Sequence, residues 1–197
     1  MAVHTKRKVL AVLAGGLVLG VGAAVTLAAW NDSEFANGTF AAGTFNLEGS
    51  TTSATADWAD HEVAPGAGLD FTLPLAANLA PEDVVYAPFW LRLDETTTSD
   101  ATVTTTLESG TGDNAANLSY AVYAIGDAAP CDATASSGTL LLSGAELSVS
   151  TAGATFDLTH GDGVAGAAQQ VCVVVTAGDL AEGSTAAATW TFTAESK

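Results

Sequence analysis

The chain has 197 residues, with 5 Lys and Arg against 22 Asp and Glu and a formal net charge of −17. That length fits one domain, and so few cations can neither neutralise a run of phosphates nor draw the chain to an anionic membrane surface. Nucleic acids are thereby excluded as partners. Wholesale disorder is excluded too, because enough Val, Leu, Phe and Trp remain to build a core.

The charge is unevenly placed. Lys6, Arg7 and Lys8 precede an uncharged apolar run from Val9 to Trp30, and the first acidic residue is Asp32. A basic start, an apolar middle and a small-residue end describe a secretory signal peptide over residues 1–28. The run is also long enough for a permanent membrane anchor. Removal is favoured by Gly15, Gly16, Gly20 and Gly22, by the small-x-small triplet Thr26-Leu27-Ala28, and by the lack of a positive flank after Trp30. Cleavage is expected between Ala28 and Ala29, so that the membrane meets the chain only through its signal segment. The product would be secreted, with Arg92 and Lys197 as its only Lys and Arg against 22 acidic residues. Such a charge promotes solubility and opposes self-association until salt or divalent cations screen it.

Residues 29–48 alternate loosely through Trp30, Phe35, Phe40 and Phe45. Such a segment completes a sheet through main-chain hydrogen bonds, either as the first strand of its own domain or as a strand donated to a neighbour. From residue 49 to 197 the dominant period is two. ATVTTTLE, LSYAVYAI and AAATWTFTAES each carry Val, Tyr, Thr, Trp or Phe at strand spacing. Further strands are expected at 43–48, 54–59, 69–75, 84–93, 139–142, 146–150, 154–159 and 170–176. Turn residues separate them, as in Pro65-Gly66, Gly110-Thr111-Gly112-Asp113-Asn114 and Gly161-Asp162-Gly163. A short helical turn is expected at Pro81-Glu82-Asp83, since Pro followed by acids suits a first turn. Many short strands with polar turns predict an all-β, antiparallel β-sandwich of jelly-roll-like or immunoglobulin-like kind after an N-terminal signal helix. APFWLRLD and VCVVVTA are expected at its centre, the second because it is apolar on both faces.

Arg92 is the internal cation, and an ion pair with a neighbouring carboxylate is expected for it; a guanidinium holding a ligand carboxylate is the alternative. Export settles Cys131 and Cys172 as a structural disulfide, because an even pair in an oxidising compartment is joined by default. Catalytic motifs are missing: there is no HExxH, no GxSxG and no glycine-rich phosphate loop. The densest titratable cluster is Asp57, Asp60, His61 and Glu62 in DWADHEV. It is read as a solvated strand end or as a divalent-cation site, for calcium or zinc, with His61 joining the oxygen ligands. Asp157, His160 and Asp162 read as a turn. Asn37-Gly38-Thr39 and Asn117-Leu118-Ser119 match the glycosylation sequon.

The run GAAVTLAAWNDSEFANGTFAAGTFNLEGS resembles the N-terminus of the TasA/camelysin family of Gram-positive exported proteins. Thr26, the Ala28-Ala29 pair, Trp30, Asn31, Asp32 and Gly43-Thr44-Phe45-Asn46-Leu47 carry the resemblance. Val63-Ala64-Pro65-Gly66 followed by Phe71, Leu73 and Leu75 is similar to the family's PGD-type turn and next strand, with Ala67 in place of the acid. The composition, the cysteine pair and the WTFTAES ending resemble the actinobacterial branch. The resemblance implies a signal peptide cut by a SipW-type signal peptidase, a jelly-roll-like domain, and self-association into extracellular matrix fibres. In those fibres the freed N-terminal segment is a donor strand, with Trp30, Phe35, Phe40 and Phe45 as its anchors here. It also implies, as an alternative, a metal-dependent endopeptidase; a cell-surface binding module is the third reading.

Overall fold

A computed structural model of the chain describes residues 6–12, 42–71 and 78–197. The chain divides into two compact units, Met1–Ala41 and Ala42–Lys197. In the first, residues 6–12 are helical. Among the described residues no helix is long and apolar enough to cross a membrane. Ala28, Ala29, Trp30, Phe35 and Phe40 lie outside the described residues.

The second unit is an all-β sandwich. Its described strands are β1 (Leu47–Ser50), β2 (Val84–Leu93), β3 (Ala101–Leu107), β4 (Leu118–Ile125), β5 (Thr139–Gly144), β6 (Thr151–Leu158), β7 (Gln169–Ala177) and β8 (Trp190–Ser196). They form two antiparallel sheets, one ordered β1-β2-β7-β4-β5 and the other β6-β3-β8. Period two explains the packing directly. In β3 Ala101, Val103, Thr105 and Leu107 are buried while the intervening threonines are half-buried, so one face closes on the core. The core draws Leu93, Val103, Leu107, Val122, Val171 and Val173 from both sheets, each fully buried. β7 lies between β2 and β4 and buries both faces, Val171 and Val173 inward and Cys172 outward under the loop after β4.

The pairings are nested. Tyr123 pairs with Leu140 across β4–β5, Val103 with Phe156 across β3–β6, and Phe89 with Val171 across β2–β7. This is the order of a ribbon folded over on itself, as in a jelly roll. One further step would set a first strand on the outer edge of β8. Instead β1 pairs with β2, Leu47 opposite Leu93. Among the described residues β8 has β3 on one side and no strand on the other. The short crossover from β5 to β6 joins the two sheets and buries Leu147. Its N–H donates to the Ala115 carbonyl at 2.9 Å and its carbonyl accepts from Gly110 N–H at 2.8 Å.

Several expected elements differ. The strand expected at 43–48 is displaced to Leu47–Ser50. Residues 54–59 form a turn with isolated bridges at Ala56 and Ala59 rather than a strand. The buried Ser50 hydroxyl donates to the Ala56 carbonyl at 2.7 Å, Gly49 and Ala59 exchange two 3.0 Å hydrogen bonds, and Asp57 sits at φ 55°. Residues 146–150 are the crossover itself, so only Leu147 needs to be buried there. Pro81-Glu82 is a tight turn, not a helical one. The Asp83 N–H donates to the Ala80 carbonyl at 3.1 Å with Glu82 at φ 72°, the shape of a type II turn with Pro at its first central position. Of the strand expected at 69–75, residues 72–75 lie outside the described residues and 69–71 are not in a strand.

Candidate functional site: an open groove along β8

The open flank of the sandwich is a groove of about 1150 Å³ within the second unit. β2 supplies Val85, Phe89 and Leu91 from one sheet, and β8 supplies Trp190, Phe192 and Ala194 from the other. Alternation explains the set, since a period of two places Trp190, Phe192 and Ala194 on one face of β8. Phe89 and Phe192 approach to 5.7 Å between ring centroids, Phe71 and Trp190 to 6.3 Å, and Tyr120 and Trp190 to 6.3 Å. Gly49 on β1 makes room for this cluster. A Cβ there would meet the Phe89 ring and lie 3.2 Å from the His61 ring. Glu48, Glu62 and Glu108 add acidic groups to an otherwise apolar lining.

Two features leave the groove chemically unfinished. An edge strand presents a row of main-chain N–H and C=O groups outward, a template for another strand. The indole N–H of Trp190 is buried and has no hydrogen-bond partner among the described residues, which ordinarily costs free energy. The arrangement can therefore take up an extended segment with apolar side chains at alternate positions.

The structure separates the other residues singled out from the sequence. Phe45, read as a donor-strand anchor, lies in the sandwich unit, is 39% exposed and lines this same groove. Asp57, Asp60, His61 and Glu62 are all exposed. Asp60 accepts a hydrogen bond from the Asn46 amide at 2.9 Å, and the His61 ring leans on Phe89 at 6.4 Å. Among the described residues no three His, Cys, Asp or Glu side chains are grouped so as to hold a metal ion. Arg92 meets its expected carboxylate. Its Nε and a terminal nitrogen both donate to Glu48 at 2.9 Å, and the guanidinium lies 4.2 Å over the Trp58 ring. Cys131 and Cys172 form a disulfide.

The FDLTHGDG turn is more organised than its sequence suggested. His160 Nδ1 lies 2.7 Å from Asp100, Nε2 lies 3.8 Å from Asp162, and Lys197 pairs with Asp157 at 2.6 Å. The hydrogen bonds from His160 hold the Asp100 carboxyl below the ordinary carboxylate range, and Lys197 does the same for Asp157. Asp100 and Lys197 are far from this turn in sequence, so no local signal announces the pairs.

No protein-family model matches the chain, and no curated protein matches it.

Proposed function

We propose that this chain is an exported, acidic structural protein of TasA/camelysin kind that assembles by strand donation. In this reading the segment freed by signal cleavage at Ala28-Ala29 lies along β8 of a neighbouring copy. The carrying observation is the groove itself, an apolar channel beside a sheet edge that has no partner strand among the described residues, at the position a jelly roll gives to a first strand. Trp30, Phe35 and Phe40 are the donor's anchors, since Phe45 belongs to the receiving domain. Each aromatic side chain fully buried contributes about 1.5–3 kcal/mol, and main-chain hydrogen bonds to the β8 edge add to it. The acidic rim and the net charge of −17 oppose assembly, so salt, calcium or mild acid promotes it. The disulfide suits an extracellular setting.

Deleting residues 29–42 tests this reading. The truncated domain should keep its β-type circular dichroism and form no polymer in negative-stain images, while the cleaved full form makes fibres. Polymerisation of the truncated form would overturn strand donation. Unfolding of the truncated form would assign the segment to its own domain instead.

A further inference from the structure

The outer face of the five-stranded sheet carries a second concavity, on the opposite side of that sheet from the groove. Strand register builds it. Tyr86 on β2, Val174 on β7 and Ala121 on β4 share one row, while Cys172 and Tyr123 share the next. Tyr86 and Tyr123 therefore stand on either side of β7 and one row apart, two strand spacings across and two residues along, about 12 Å on the diagonal. The smaller side chains of Val174 and Ala121 make the floor between them. The 3₁₀ turn Ala133–Ser137 forms a wall, and the Cys131–Cys172 bond ties that wall to the floor. The enclosed basin has a volume of about 260 Å³.

Its polar lining is mostly hydroxyl, with the Asp132 carboxylate beside it. The hydroxyls of Ser119, Ser136 and Thr176 face the basin's lining without a side-chain hydrogen bond among the described residues. A hydroxyl both donates and accepts, so a set of them complements a ligand whose groups do the same. The tyrosine rings add flat apolar area with a polar tip. A concave, partly apolar site with a few convergent polar groups is the usual form of a small-molecule site.

We infer that this basin binds a neutral sugar unit of a polysaccharide, one face of the pyranose lying on a tyrosine ring and its hydroxyls meeting those of Ser119, Ser136 and Thr176. Charge narrows the ligand class. Asp132 lines the basin, and hydrogen bonds from the Thr134 side chain and N–H keep its carboxyl ionised. Together with a net charge of −17 this repels phosphates, uronates and other anions. An organic cation would suit the aromatic rings and the carboxylate, but it would leave three hydroxyl protons unmatched.

The test is isothermal titration of the full-length chain with maltohexaose, cellohexaose, mannohexaose and xylohexaose, and separately with tetramethylammonium chloride. At least one hexasaccharide should bind. Tyr123→Ala should weaken it by about tenfold or more, the loss of one well-placed aromatic contact. Tyr123→Phe should keep most of the affinity, and Thr176→Val should lose several-fold. Bound sugar should shift the ring resonances of Tyr123 and leave those of Phe192 in the groove unmoved, a readout that survives if Tyr123→Ala fails to fold. Absence of binding to all four sugars would overturn the inference. So would unchanged affinity in Tyr123→Ala and Thr176→Val together with an unmoved Tyr123 ring. Displacement of bound sugar by tetramethylammonium would reassign the basin to an organic cation.

Discussion

Replacing both cysteines with alanine removes the bond that spans 41 positions between Cys131 and Cys172. In the chain-entropy description a loop of that size restricts the unfolded chain by about 4 kcal/mol. The native state loses little else, because Cys172 is flanked by Ile125 and Ala135 in a small apolar cluster and alanine leaves no unpaired polar atom. The loop after β4 retains other holds. The Trp90 indole N–H donates to the Asp127 carbonyl at 3.0 Å, and the Gln170 amide nitrogen, turned to donate, reaches the Gly126, Asp127 and Ala129 carbonyls at 2.9–3.2 Å. The native structure should therefore persist while the midpoint falls. For a domain of this size 1 kcal/mol moves the melting temperature by about 2–4 °C, so the expected drop is about 8–16 °C. Circular dichroism melts of the wild type, of the wild type with reductant and of the double variant measure it. A drop below about 3 °C would refute the reasoning, because the loop would then be fixed by Trp90 and Gln170 alone.

Asp100, Asp132 and Asp157 are held below the ordinary carboxylate range by hydrogen bonds from His160, Thr134 and Lys197. Their contribution to stability is complete above the unfolded-state carboxylate range and is lost as pH falls through that range and the lower folded-state values. Asp100→Asn should flatten that loss in urea titrations, and an unchanged slope would remove the His160 pair from the account. Gly112 has φ 95°, and a Cβ there would press into the Thr185 carbonyl oxygen. Gly112→Ala should cost about 2 kcal/mol or more in chemical denaturation. Arg92→Met should cost about 1–2 kcal/mol by losing the half-buried Glu48 pair and the Trp58 stack, and a neutral result would make the pair ornamental. Phe192→Ala should abolish fibres while lowering the melting temperature by only a few degrees, since Phe192 is only half-buried.

Period two was enough to place β2, β3, β4, β7 and β8, because each presents one face to the core and β7 both. It misled at 54–59, where Ala54, Ala56 and Trp58 alternate with Thr55 and Asp57 as a strand would, while the Ser50 hydroxyl binds the chain into a turn. It misled again at 146–150, where a crossover burying Leu147 alone repeats the pattern of a strand end. The disulfide followed from the cysteine count, and the Arg92 ion pair from the abundance of carboxylates. The groove was not legible. Trp190 and Phe192 read as core residues of an ordinary strand, and only the pairing order reveals that, among the described residues, β8 is paired on one side. Register is long-range information, and so are the His160–Asp100 and Lys197–Asp157 pairs.

The nested pairing of β4 with β5, β3 with β6 and β2 with β7 also carries a time order. Loop-closure entropy rises with the length of chain enclosed, so the β4–β5 hairpin is the least costly pairing to form first. Each pairing shortens the open chain that the next must close, and the sandwich zips from its middle toward its ends. Proteins dominated by such distant pairings fold slowly, in milliseconds to seconds. The outer edge of β8 stands at the end of that sequence, so this edge of the sheet is complete only after the rest of the domain has formed.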